Sequence, residues 1–352
     1  MSGAILLYGA YGYTGDLTAR LARQRGISVI LAGRNAEKTA ALAHELGFPH
    51  RVFALEDAAA HLDGVAVVLH CAGPFSRTAK PMMAACIERG VHYLDITGEI
   101  GVFELAAHVG PKAAAAGVML LPGAGFDVVP SDCLAAHVHA ALPEATALEL
   151  AFQGLGGVSH GTASTMLQHL GEGGAIREDG KITVVPTAHA SREIDFGAGV
   201  RNAVAIPWGD VSTAYHSTGI GNIVVYMAMP KGMHRAARAS NLLAPMLRQP
   251  WLRRMLQARL DAGPAGPDAD ARARSGSYLW AEASAPDGRR ATARLKAPDG
   301  YDLTADSSLR IAVAVAEGAA KPGFQTPSTA FGSDFVLQCD GVSREDVIVT
   351  GG

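Results

Sequence analysis

Cysteine is scarce in this sequence. The four residues, Cys71, Cys86, Cys133 and Cys339, stand far apart with no Cys-x-x-Cys pair among 352 positions. That spacing argues against a disulfide framework and against a thiolate zinc site. A His-Glu-x-x-His run is also missing, and no metal is expected. No apolar run reaches the length of a membrane span, and the first residues carry no basic region that would open a signal peptide. Charge of either sign is nearly balanced, 30 Lys and Arg against 33 Asp and Glu for a net of −3. Nothing in that balance draws nucleic acid. The expectation is a cytoplasmic protein, and the length is that of about two domains.

What is present begins within ten residues. "GAILLY" reads as a strand apolar on both faces, as buried parallel strands are. Gly9, Gly12 and Gly15 follow at a spacing of three, interleaved with Tyr11, Tyr13 and Thr14, and then the helical pattern "DLTARLARQRG". "SVILAG" is a second buried strand. Strand, glycine turn, helix and strand within about 30 residues is the context of a dinucleotide fingerprint. Glycines allow the tight turn and the close approach of backbone to a pyrophosphate, which then meets the N–H groups of a helix N-terminus. An ordinary strand-to-helix turn is the alternative.

The end of the second strand selects the cofactor. An acidic residue there would hold the ribose hydroxyls of NAD. This sequence instead has "AGRN", with Arg34, Asn35 and, one helical turn on, Lys38. A guanidinium forks onto phosphate and an ammonium adds a second charge, so NADP(H) is expected unless Arg34 is only solvated.

Strands and helices continue to alternate through "HRVFAL", "GVAVVLHCAGPF", "VHYLDITGE" and "GVMLLPGAGFD". The fold class expected is α/β, a Rossmann-type doubly wound parallel sheet. Its ligands lie at the carboxyl ends of the strands, where Cys71, Ala72, Gly73 and Pro74 and then Thr97 and Gly98 join the glycine turn as cofactor contacts. Past Leu142 the pattern changes to glycine-separated strands around one helix, "GTASTMLQHLGEGG", a second α+β domain on a mostly antiparallel sheet. Its stretch "VRNAVAIPWGDVSTAYHSTG" is read as strand throughout, placing Tyr215 and His216 on opposite faces. "DAGPAGPDADARARSGS" is read as a mobile linker, and "TADSSLRIAVAVAEGAA" as a helix opened by a Thr-x-x-Ser cap. The domains are set at 1–142, rejoined by 304–352, and 143–303, the latter for substrate and dimerisation.

"YGAYGYTG", "LAGRN", "CAGPFSRTAKPMMAACIERGVHYLDITGE", "PGAGFDVVPSD", "GTAST", "DGYDLTA" and "PGFQTPSTAFGSDFVL" together resemble the saccharopine dehydrogenase-like oxidoreductases, which include saccharopine reductases and trans-acting enoyl reductases. The resemblance implies an NAD(P)-binding Rossmann domain, a mixed α/β substrate domain, and hydride transfer at the cleft between them. It does not imply a substrate. Arg77, Arg192 and Arg201 are the only scattered arginines that could serve a dicarboxylic amino acid.

The candidate proton donors follow from the strand ends. A short-chain dehydrogenase is excluded, since none of the eight tyrosines has a Lys four residues later. Tyr93 and Asp95 share a strand face, Glu99 follows Thr97-Gly98, and Asp127 follows the sixth strand, where it would otherwise cap "VVPSDCLAAHV". In the second domain Ser159 or Thr162 caps a helix beside His160, which is either a titrating group or a satisfied surface histidine; His189 is equally open. The basic stretch 231–260 sets Leu242, Leu243, Met246, Trp251 and Met255 at helical spacing among Arg248, Arg253, Arg254 and Arg259. It is read as a helical excursion packed on its own domain or across a homodimer, with a carrier protein or a lipid surface as the other partners. Two functions are carried forward. One is hydride transfer between NADP(H) and a small or carrier-bound substrate, by C=N or C=C reduction or the reverse. The other is a non-enzymatic NADP-binding sensor or accessory subunit.

Overall fold

Short runs, most of them apolar and all too brief for helices, set the first strands. In the computed structural model, which describes residues 3–351 apart from 155, 158, 169, 170, 248 and 264, they are β1 (Ala4–Tyr8), β2 (Val29–Gly33), β3 (His50–Val52), β4 (Val65–His70), β5 (His92–Asp95) and β6 (Met119–Leu121). Between them run α1 (Tyr13–Gln24), α2 (Ala36–Leu46), α3 (Phe75–Arg89) and α4 (Ile100–Ala115). The chain continues through α5 (Val129–Ala141), β7 (Ala147–Gly154), α6 (His160–Gln168), β8 (Gly174–Glu178), β9 (Lys181–Val185), β10 (Ser191–Asp195) and β11 (Val200–Ala205). Then come α7 (Asp210–Thr218), β12 (Asn222–Ala228), α8 (Lys231–Ala239), α9 (Ala244–Leu247), α10 (Pro250–Asp261) and α11 (Ala269–Ala273). The last elements are β13 (Ser277–Ser284), β14 (Arg290–Ala297), α12 (Gly300–Ala314), β15 (Gly323–Phe324), α13 (Pro327–Phe331), β16 (Ser343–Arg344) and β17 (Ile348–Thr350).

Seven strands form one sheet in the order β15-β6-β5-β4-β1-β2-β3, every pair parallel. This is the Rossmann order, with its switch point between β1 and β4. Leu6, Leu31, Val68, Leu69 and Leu94 are fully buried at the centre, because helices cover both faces of such a sheet. The second sheet runs β10-β11-β12-β7-β13-β14-β16, with β17 on β14 and the β8–β9 hairpin on β12. It is antiparallel except where β12 lies parallel to β7. The expected α/β class with a second, mostly antiparallel domain is therefore what the chain adopts.

The units divide at other residues than expected. One comprises residues 1–129 and 301–331, the other 130–300 and 332–352, against the expected 1–142 with 304–352 and 143–303. Side-chain and strand pairing give the reason. On α12, Thr304 accepts a hydrogen bond from the Phe126 N–H, Ser307 donates to Ala124 O, and Asp306 pairs with Arg25, which ties 301–331 to the first unit. After residue 331, Arg344 and Thr350 pair with Leu295 and Arg290 on β14.

Four local expectations are corrected. Tyr215 and His216 lie on helix α7, not on a strand: Gly219, at φ +74°, ends that helix and its N–H returns to Tyr215 O. α12 begins at Gly300, so Thr304 is inside the helix and does not open it. The region expected as linker contains α11, capped by Asp268, whose carboxylate accepts from the Ala271 N–H. Gly174, expected to close the helix "GTASTMLQHLGEGG", instead opens β8. Ser159, one of the two candidate caps, does cap α6 by accepting from the Thr162 N–H. Arg248 lies outside the described residues.

Candidate functional site

The glycine turn is built so tightly that side chains cannot enter it. Gly9 has φ +83°, and a Cβ there would lie 2.8 Å from Ala72. A Cβ on Gly15 would meet Gly9 O at 2.3 Å and Ala10 Cα at 2.9 Å, so the first turn of α1 packs directly on the end of β1. Gly12 occupies the N-cap of α1 and offers no side-chain acceptor. Helix α2 is different: Asn35 Oδ1 caps it by accepting from the Lys38 N–H at 2.9 Å. An N-terminus without a side-chain cap, at the carboxyl edge of a parallel sheet and beside its switch point, fits a pyrophosphate.

At the end of β2 the residues fit a further phosphate. Gly33 admits the Tyr11 ring, which a Cβ would meet at 2.5 Å. Lys38 Nζ stands 6.0 Å from the centre of that ring. Arg34 is exposed and makes no hydrogen bond or ion pair among the described residues. Asn35 caps a helix, and Tyr13 packs edge-on against Tyr301, 5.1 Å between centroids.

Three expected proton donors turn out to be tied into the scaffold. Asp95 is fully buried: Oδ2 accepts from the Tyr93 hydroxyl at 2.7 Å, and Oδ1 from the N–H groups of Thr97 and Gly123 at 3.0 and 2.9 Å. Burial raises its carboxyl to about 6 against the pull of those donors. Burial and the Asp95 charge hold the Tyr93 phenol well above its ordinary range. Glu99 accepts from the N–H groups of Phe75 and Ser76 at 2.8 and 3.0 Å, capping α3 from another loop. Pro74, the residue in the N-cap position, offers no side-chain acceptor. Thr97 Oγ1 in turn accepts from the Glu99 N–H. The Glu99→Ala variant is expected to lose about 1–3 kcal/mol of stability, since both bonds are charge-assisted and buried. Denaturant midpoints should show that loss and a smaller one for Glu99→Gln, which keeps an acceptor.

Asp127 is of another kind. It is half-buried, makes no hydrogen bond or ion pair among the described residues, and burial pushes its carboxyl up to about 7. Its Oδ2 lies where a Cβ on Gly98 would come within 2.9 Å, so the absence of a side chain at Gly98 makes room for the acid. The loop that carries it is pinned by Thr304 through the Phe126 N–H. Cys71 to Pro74 follow β4, with the Cys71 N–H bonded to Tyr8 O at 2.8 Å, and burial raises the Cys71 thiol. His160 belongs to the other unit, where its Nε2 is 3.4 Å from Gln257 Nε2. Among the described residues no three His, Cys, Asp or Glu side chains are grouped to hold a metal ion.

One further residue of this region is not among the expected site residues. His70, the last residue of β4, is fully buried with neither ring nitrogen hydrogen-bonded, and burial lowers it to about 3. Its ring meets Phe75 edge-on at 5.4 Å and lies 5.4 Å from Tyr8. It is an aromatic, neutral spacer under the site. The "VVLHC" sequence, with a polar residue closing an apolar run, was the only hint.

Comparison with known proteins agrees with this geometry. Residues 5–121 match the family model described as saccharopine dehydrogenase NADP binding domain. A Mycobacterium tuberculosis protein provisionally named trans-acting enoyl reductase is 34% identical over 183 residues, 47% of this chain and 44% of its own length. The trans-acting enoyl reductase of Mycobacterium ulcerans is 34% identical over 159 residues, 42% and 38% of the two chains. The chain thus spans less than half the length of these relatives. A saccharopine dehydrogenase (L-Glu forming) of Saccharomyces cerevisiae, solved in its apo form, superposes with a TM-score of 0.69 at 13% identity, covering 98% of this chain and 100% of that one. That likeness is one of fold. The glycine turn, the parallel sheet and the match over residues 5–121 thus agree in a likeness to the saccharopine dehydrogenase NADP-binding domain.

Proposed function

We propose that the protein is an NADP(H)-dependent oxidoreductase that reduces a C=C or C=N bond in a small or carrier-bound substrate, or runs the reverse. The observation that carries this reading is a pairing within one unit. A glycine turn without a side-chain cap, with the unpartnered Arg34 near it, stands at the same sheet edge as an acid held protonated into the neutral range, Asp127. When bound, NADPH supplies the hydride. Arg34 and Lys38 would receive the 2′-phosphate, and the N-terminus of α1 the pyrophosphate. The reduced bond takes the hydride at one atom and a proton at the other. Asp127 is the source of that proton and regains one from solvent. The names of the mycobacterial relatives favour an enoyl C=C bond. The second unit is the proposed substrate and dimerisation part.

The test is calorimetric titration of the protein and of Arg34→Ala with NADPH and with NADH. Loss of a charge-assisted phosphate contact costs roughly 1.5–3 kcal/mol, about a 10- to 150-fold weaker NADPH complex. NADH affinity should not change. Equal weak binding of both cofactors, indifferent to the substitution, would overturn the assignment. NADPH oxidation with enoyl thioesters and with cyclic imines then distinguishes the two bonds. Tight binding without hydride exchange to either would mark a sensor.

A further inference from the structure

We propose that residues 231–260 form a docking surface for an anionic lipid bilayer, an inference independent of the cofactor reading. The thirty residues hold seven Lys and Arg and no Asp or Glu, in a chain of net charge −3. They fold as α8, the turn Ser240–Leu243, α9 and α10, and no described residue among them reaches full burial. Large apolar side chains face outward instead: Leu242 is 86% exposed and Trp251 57%, with Met233, Leu243, Met246 and Met255 beside them. On α10 the division is by helix face. Leu252, Leu256 and Leu260 are half-buried on the side packed toward α6, whereas Trp251, Arg254, Met255 and Arg259 are exposed along one stripe. Lys231 and Arg253 pair with Glu193 and Glu172. Arg235, Arg238, Arg254 and Arg259 form no ion pair among the described residues.

Apolar exposure on this scale marks an interaction surface, and the charge selects its occupant. A second copy placed here by a two-fold axis would set the same unpaired arginines against one another. An acidic protein would meet the arginines but not the interleaved Leu, Met and Trp side chains. The boundary between headgroups and acyl chains of an anionic bilayer meets both at once, and it is where amphipathic Trp and long cationic side chains settle. Among the described residues no helix is long and apolar enough to cross a membrane, so the contact is one of surface.

Flotation of the full chain with phosphatidylcholine vesicles, pure or containing about one-third phosphatidylglycerol, tests this. Binding is expected only to the anionic vesicles, weakening by about tenfold or more in high salt as the cationic attraction is screened. The double variant Leu242→Asp, Trp251→Glu should abolish it while leaving the melting temperature and NADPH affinity unchanged. Emission of the unaltered protein provides a second measurement, since Trp208 packs on Phe152 and Trp280 beneath Arg192. A blue shift on adding anionic vesicles, absent in Trp251→Phe, supports insertion. No binding to anionic vesicles at low salt overturns the proposal, as does binding that the double variant retains. A dimer whose dissociation on dilution shifts Trp251 emission without lipid assigns the surface to a second copy and equally overturns it.

Discussion

Asp127→Asn is expected to lower kcat for reduction by about 100- to 10,000-fold, the usual contribution of a positioned acid, while NADPH affinity stays within about twofold. Stopped-flow oxidation of NADPH under saturating substrate reads the effect directly. The pH profile gives the more demanding check. Only the neutral acid donates, so the rate of the parent enzyme should be flat below pH 7 and fall about tenfold per unit above it, following the raised carboxyl. The variant should lack that limb. Stability moves in a related way. A carboxyl raised above its ordinary value near 3.8 contributes stability below that value, and the contribution is lost as pH rises through about 7. The variant should therefore be relatively more stable at pH 8 than at pH 5. A full-rate variant with an unchanged profile would remove Asp127 from the chemistry.

Gly15→Ala should abolish cofactor binding as well as weaken the fold. The added carbon would stand 2.3 Å from Gly9 O, 2.9 Å from Ala10 Cα and 3.0 Å from Ala10 O. All are backbone atoms, so relief requires α1 to move away from β1. Overpacking costs about 1–3 kcal/mol, which in a unit of this size lowers Tm by roughly 2–4 °C per kcal/mol. The displaced N–H groups no longer converge, and NADPH affinity should fall by about 100-fold or more. Calorimetry and thermal melts on the same sample separate the two effects. Gly26→Ala is the control: a Cβ there meets no atom within 4 Å, though φ +68° makes it a strained position too, so stability should drop and affinity should not.

Local chemistry carried most of the first unit. Buried strands, glycine spacing and the Arg34 position are properties of neighbouring residues, and Tyr93 bonds Asp95 as two residues on one strand face can. The errors came where distant residues decide. "DVSTAYHST" is rich in β-branched side chains and reads as strand by propensity, yet its Val211, Ser212, Thr213 and Ala214 are all buried as a helix. Glu99 serves a helix whose first residue is 24 positions away, and Thr304 serves a loop 178 away. No spacing rule reaches such partners. The isolation of Asp127 could not be read either, because a missing partner is a property of the folded surroundings.

Each unit is written in the sequence in two pieces, with 301–331 returning to the first and 332–352 to the second. During synthesis the six strands β1 to β6 leave the ribosome long before β15, so the outer edge of β6 stays open while about 200 further residues are made. An unpaired parallel edge is a site for wrong pairing. The loop bearing Asp127 likewise waits for Thr304. The site is thus completed only once Thr304 has been made, and a chain halted at residue 300 would hold the glycine turn without the helix that steadies its acid.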